Sequence, residues 1–457
     1  MAGRNHDSFC QTSLPPDAVL REASLDERLP TSAELPPRAM LRALFDEGVR
    51  AVSAERCLPE FLTDQEAAGR TLVLAVGKAA AAMASVAASR IASPMTGLVV
   101  TRHGHSGPPH PLPSSFELIE AGHPVPDGQS LGAAVRALQL VGELAAGDRL
   151  LMLVSGGGSA LLTLPVPGVT LADKQVVTQS LLRSGATIGE INSVRKHLSL
   201  IKGGRLAVAA APAQVTTLVI SDVPGDDPSF VASGPTVADD TTLAMARGIV
   251  ARYRIDVPAS VTAALASTSN ETPPADALGL AGGDVRVIAL AKDALAAARR
   301  LAESHGYKVT DLGDHLQAEA RHLGAGHAAL ARRMAADGQR RVILSGGETT
   351  VRVVNAGGRG GRNLEYLLGL AIALDGAPGI YAIACDTDGI DGTEDNAGAM
   401  IAPDTITRAM SLGLDARAML DANDAYGFFH ALGDLVVTGP TRTNVNDLRA
   451  ILIEGSL

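Results

Sequence analysis

Short apolar runs that each end in glycine or a polar turn recur along this chain, and their spacing constrains its fold more than any other feature. Residues 71–78 (TLVLAVGK), 97–101, 116–122, 149–159 and 216–226 are such runs. Between most of them lie Ala- and Leu-rich segments of helical period, such as Ala79 to Arg90. Strands that are apolar throughout need cover on both faces, and intervening helices supply it. The pattern therefore predicts an α/β domain around a mostly parallel sheet. Ser, Thr, Asn, Pro and Gly cluster from about Pro258 to Asp284, which reads as a linker. A second α/β series follows at 285–291, 307–313, 340–354, 379–392 and 434–439, with 449–455 as a closing strand. The expected division is a flexible, polar and aperiodic tail over 1–35, a larger domain over 36–270 and a smaller one over 285–457.

Charge narrows the function classes. Forty-nine acids against 39 Lys and Arg give a net charge of -10, the wrong sign for non-specific nucleic-acid binding. Aromatic residues are 3% of the chain and Trp is absent, which argues against base-stacking platforms. No apolar stretch approaches the ~20 residues of a membrane span. Cys10, Cys57 and Cys385 are too scattered for a metal pair or a disulfide framework. Together with an N-terminus that lacks a secretory pattern, this gives a cytoplasmic expectation. Homo-oligomerisation is left open.

Several segments could carry chemistry. Ser155-Gly156-Gly157-Gly158-Ser159 follows a strand, and its amides could hold phosphate oxygens. The alternative is a tight turn that needs positive φ. No Walker loop, complete GxGxxG or GxSxG elbow is present. Asn192 to Ser199 leads into Lys202 to Arg205, and residues 195–205 hold four Lys or Arg and no acid. Arg195 and Lys196 thus suit a small anion, unless they are a solvated helix face. Lys78 stands at a strand end, where a functional rim and a snorkelling lysine are equal readings. Asp386, Asp388 and Asp391 cluster in a glycine-containing strand exit, and Asp222 ends another strand. Such carboxylates suit Mg2+, or serve as local turn acceptors. Arg362 follows a glycine-rich loop as a fixed, two-pronged cation, unless the segment is simply a flexible hairpin loop. His103, His105 and His110 read as a polar loop without zinc spacing.

These segments together resemble the glycerate 2-kinase family, whose C-terminal part is the MOFRL domain. The resemblance rests on AVGKAA, AGHPVPD, LVSGGGSALL, INSVRKHLS, IKGGRLA, SDVPGDD, ASGPTV, LSGGETTV, GGRNLE, DTDGIDG and TGPTRTNVNDL, in family order from about Leu41 to Leu452. It implies a larger Rossmann-like N-terminal domain, a smaller α/β domain and an active site in the cleft between them. It also implies ATP-dependent, Mg2+-requiring phosphorylation of D-glycerate at the 2-hydroxyl, giving 2-phosphoglycerate and ADP. Lys78 and Arg362 align with the family's proposed catalytic pair, and residues 155–159 match its nucleotide region. Asn192, Arg195, Lys196 and His105 become candidates for substrate or phosphate, and Asp222, Asp388 and Asp391 for metal or base. The chain departs at Asp386, where the family often has Gly, and at Leu364 in place of Gln. Members are often labelled hydroxypyruvate reductase. That NAD(P)H chemistry predicts a GxGxxG unit that is missing here. A non-catalytic sensor would need an output module, for which the tail is too short.

Overall fold

A computed structural model describes residues 35–62, 68–107, 111–355 and 357–455. Cys10, His110 and the expected tail up to residue 34 lie outside the described residues.

The first sheet contains β1 (Thr71–Val76), β2 (Met95–Arg102), β3 (Phe116–Ala121), β4 (Arg149–Val154), β5 (Gln214–Ile220) and β6 (Asp284–Ala289). All its pairings are parallel, in the order β3-β2-β1-β4-β5-β6. Every residue of β1 and β4 is buried, as their unbroken apolar runs require. Strand order reverses between these two, and open α/β sheets form a ligand crevice outside such a point. Val76 lies beside Val154, so the turns after β1 and β4 emerge side by side. The helix Ala80–Arg90 leaves the first turn with Ala80 to Ala87 all buried; its small side chains let it lie close to the sheet.

The second sheet contains β7 (Lys308–Asp311), β8 (Arg341–Gly347), β9 (Ile380–Asp386), β10 (Gly398–Ile401), β11 (Leu435–Val436) and β12 (Asp447–Ile453). Its order is β11-β10-β9-β12-β8-β7, and it is mixed. Only β7 and β8 run parallel among the described pairs. The last strand, β12, inserts antiparallel between β8 and β9, which sets Asp447 opposite both Gly347 and Asp386. Each sheet has its own apolar core, and a third cluster joins the helices Leu171–Arg183, Ile188–His197, Leu243–Arg252 and Ala259–Ala266.

The sequence-based division differs from this in three places. Residues 285–289 were expected to open the second series, but β6 pairs with β5 and completes the first sheet. The supposed linker is therefore part of the crossover from β5 to β6, and it contains the helix Ala259–Ala266. The helix Pro37–Ala51, assigned to the first domain, packs on Ala291–Ser304 and on β9 and β12. β11 falls within the expected run 434–439, whereas the four-residue, Gly-containing β10 carries too little pattern to mark a strand and was missed.

Candidate active site

The turns after β1 and β4 are knitted together by backbone. The Lys78 amide donates to the Gly156 carbonyl at 2.9 Å, and the Ser155 amide donates to the Val76 carbonyl at 2.9 Å. Ser155 is buried, and its Oγ accepts from the Ala79 amide at 3.0 Å, where the next helix begins. Its hydroxyl therefore serves the scaffold. A Cβ on Gly156 would fall 1.8 Å from Asp222 Oδ2 and 2.3 Å from Asn444 Nδ2, so glycine there lets Asp222 approach the turn. Gly157 has φ +86°, and a side chain would meet the His123 ring at 3.1 Å and Lys78 Cγ at 3.5 Å. Gly158 opens the short helix Gly158–Leu161. Ser159 Oγ lies 2.8 Å from Ser233 Oγ, whose hydroxyl donates to Asn192 Oδ1 at 3.1 Å.

Lys78 Nζ donates to Asp388 Oδ2 at 2.5 Å, from the end of the first sheet to a turn after β9. The Asp388 amide donates to Asp386 Oδ1 at 3.1 Å. Asp386 Oδ2 in turn accepts from Arg362 Nη2 at 2.8 Å. Arg362 also donates from Nε to Asp447 at 2.9 Å and from Nη1 to Glu348 at 2.9 Å. The two cations singled out from sequence are thus joined through adjacent carboxylates. Burial opposes the charge on Lys78, but Asp388 and Asp386 outweigh it and raise its pKa. Burial also opposes charge on Arg362, and Asp447, Asp386 and Glu348 outweigh it. Burial works against the Asp388 carboxylate too, yet Lys78 holds its pKa down. At Asp386 burial and the neighbouring Asp388 win over Arg362 and push the pKa up.

The remaining acids divide by role. Asp222 accepts from Asn444 Nδ2 at 2.7 Å, and its carbonyl accepts from Asn446 Nδ2 at 2.6 Å. Its pKa is pushed up to about 6, chiefly by desolvation, with Glu348 and Asp388 adding to the rise against Lys78. Asp391 accepts from the amides of Asn363 and Leu364 at 3.1 and 3.0 Å, capping the helix Arg362–Leu374. A Cβ on Gly361 would strike its carboxylate at 2.3 Å. Asp391 therefore orients Arg362 from beneath, and its oxygens are already committed. Among the described residues, the carboxylates and imidazole close enough to share an ion are instead Asp226, Asp314 and His315. Asp222 and Asp388 nevertheless fit Mg2+: they offer hard oxygen donors, and the charge of Asp388 adds to the raised pKa of Asp222.

The basic segment splits as well. Lys196 is bound to Asp239 at 3.0 Å, with both side chains almost fully shielded, and lies over the Phe230 ring. It is a buried structural cation. Arg195 has no such carboxylate among the described residues; its Nε reaches Thr178 Oγ1 at 3.5 Å, and burial pushes its pKa down to about 10. His105 is buried with neither ring nitrogen hydrogen-bonded among the described residues, and burial takes its pKa down to about 4. Sequence reasoning passed over His123, which faces Gly157 and is held neutral by burial and then by Lys78, with a pKa of about 3. Its signal was the AGHPVPD segment. Asp447 and Asn444 were also missed, because β12 and the loop before it bring them in from the far end of the chain, and Glu348, at the exit of β8, was passed over as well. The Ser-Gly-Gly of LSGGETTV lies within β8. There Gly346 and Gly347 admit the passing backbone of Asp314 to Leu316.

No helix is long and apolar enough to cross a membrane among the described residues. Comparison with known proteins matches residues 40–266 to a domain of unknown function, DUF4147, and residues 341–447 to the MOFRL family. A protein of Agrobacterium vitis provisionally named hydroxypyruvate reductase is 51% identical over 91% of this chain and 94% of its own length. The D-glycerate 2-kinase of Thermotoga maritima is 39% identical over 89% of this chain and 95% of its own. A crystal structure of Thermotoga maritima glycerate kinase superposes with a TM-score of 0.80 at 37% identity, covering 91% of this chain and 98% of that one. Two family models falling on the two sheets, and relatives of this likeness along nearly the whole chain, place it in the glycerate kinase family.

Proposed function

We propose that this chain is a glycerate 2-kinase that transfers the γ-phosphoryl group of ATP to the 2-hydroxyl of D-glycerate, with the site between the two sheets. The observation that carries the reading is the Lys78–Asp388–Asp386–Arg362 chain beside the glycine turn. Phosphoryl transfer asks mainly for positioning and for neutralisation of charge on the equatorial oxygens. Lys78 and Arg362 supply two permanent positive charges in a desolvated setting, where they act more strongly than in water. The amides of Gly156 to Gly158 orient polyphosphate. Asp388 would hold Mg2+, with Asp222 close by, and the ion when bound neutralises phosphate charge. Asp222, with a pKa near 6, is suited to take the proton from the 2-hydroxyl.

Hydroxypyruvate reduction is the second reading, favoured by the name of the 51%-identical relative. Against it, the turn after β1 reads Gly77-Lys78-Ala79-Ala80 and lacks the glycines that admit a dinucleotide pyrophosphate. The deciding assay follows ADP formation with D-glycerate and ATP, and NADH consumption with hydroxypyruvate, in parallel. Product ³¹P NMR then separates 2- from 3-phosphoglycerate. NADH consumption without ADP formation would sink the kinase reading.

A further inference from the structure

Behind the glycine turn lies a group of cations that the reading above does not use. Lys174 is buried on the helix Leu171–Arg183, and its Nζ has no hydrogen-bond partner among the described residues. Thr178, one turn on, shares its face. Arg195, from the helix Ile188–His197, reaches Thr178 with its Nε. Lys202 sits in the turn beyond that helix at 1% exposure, and its Nζ donates to the Ala232 carbonyl at 3.1 Å. The charged neighbours of Lys174 and Lys202 are one another and Arg195. Burial, with Arg195 adding, takes Lys174 down to about 7, and Lys202 falls well below its usual range.

The contrast with Lys196 is instructive. It is as deeply buried as Lys202, and the fold gives it Asp239. Unpaired buried cations cost stability, so Lys174 and Lys202, with the partly buried Arg195 beside them, call for an anion from outside. Their position says where that anion is wanted. Ala232, whose carbonyl Lys202 holds, packs so tightly on the glycine turn that a Cβ at Gly158 would be 2.6 Å from its own. Ser233, the next residue, is bonded to Ser159. Ala232, Ser233 and Gly234 are consecutive left-handed residues, at φ 53°, 61° and 58°. Two non-glycine residues in that region need surrounding structure to hold them, and Lys202 is part of it.

We propose that Lys174, Arg195 and Lys202 form a seat for a phosphate oxyanion next to the glycine turn. The kinase reading bears only on which phosphate arrives there: that of the nucleotide or that of the phosphorylated acid. The test uses the full chain, with pyrophosphate, ADP and 2-phosphoglycerate as separate probes, read by thermal shift and calorimetry. Lys174→Met and Arg195→Gln are compared with the parent, and Lys174→Gln substitutes if the methionine variant does not fold. Without ligand, Lys174→Met should melt at least as high as the parent, since it removes an unpaired buried charge. At least one probe should bind each variant about tenfold more weakly, the loss of one charge-assisted contact. The probe that weakens identifies the source. Parent-like binding of all three probes to folded variants would overturn the proposal, as would a lower melting temperature for Lys174→Met without ligand. Because binding is read without turnover, failure of the kinase assay leaves this result independent.

Discussion

Arg362→Ala separates two roles that this residue combines. Of its carboxylate partners, Glu348 is half exposed and loses little. Asp447 is fully buried but keeps Arg449 and the Asn363 side chain. Asp386 is left with the Asp388 amide as the one hydrogen bond to its side chain among the described residues and with the charge of Lys78, beside a second carboxylate. The damage therefore concentrates at one orphaned buried acid, and the cost should lie near the lower end for breaking a buried pair, about 3 kcal/mol. It should also depend on pH. The pKa of Asp386 is already raised, and without Arg362 it rises further. An acid whose folded pKa is raised destabilises the fold progressively as pH climbs above its unfolded value, about 4. The difference in stability between parent and Arg362→Ala should thus widen with rising pH in denaturant titrations, once Asp386 begins to lose its proton in the parent. Adding Asp386→Asn should restore most of the stability. It should not restore turnover, which Arg362→Ala lowers ~100-fold or more if the guanidinium stabilises the transferring phosphoryl group. A penalty that stays constant with pH would refute the assignment of the cost to Asp386. Turnover recovered by the double variant would show that Arg362 serves architecture alone.

Lys78→Met should lower kcat by a similar ~100-fold with the fold retained, and a change confined to KM would make Lys78 a binding residue. Gly157→Val should weaken ADP binding about tenfold or more, because φ +86° resists a β-branched residue and the side chain would meet His123; parent-like affinity in a folded variant would place the nucleotide elsewhere. If Asp222 accepts the hydroxyl proton, kcat should fall as pH drops through about 6, where its carboxyl becomes protonated. Asp222→Asn should then remove that limb, and an unchanged profile would assign it to another group. EDTA should stop ADP formation and Mg2+ restore it; full activity in chelator would exclude a metal role.

Most of the scaffold was legible because parallel strands buried on both faces leave unbroken apolar runs. β1, β4 and the turns after them were read at nearly their observed positions. The boundary between the halves was not, because β6 looks like any other strand and only its pairing with β5 reveals its sheet. Lys78 could be marked as a strand-end cation and Arg362 as a cation after a glycine-rich loop, but not their partners. Asp447 lies 85 residues from Arg362, and nothing local to DLRA signals that it will be threaded between β8 and β9. Lys196 and Lys202 look alike in sequence. Only the fold shows that one has an acid within reach and the other does not.

The placement of the helix Pro37–Ala51 has a consequence for how the protein is made. A Cβ on Gly48 would lie 2.5 Å from Leu448, Arg38 pairs with Asp434 at 2.9 Å, and Thr443 reaches the Val52 carbonyl. Those last two residues are 391 positions apart. At ordinary rates of translation the helix would wait roughly 20–80 s for the strands it covers. Its apolar face, with Met40, Leu41, Leu44 and Phe45, must be shielded meanwhile. Nascent chains stalled before β12 should therefore bind chaperones through this first helix. A fragment beginning at residue 285 would lack a wall of its own core and should be insoluble unless residues 37–51 are supplied as a separate peptide.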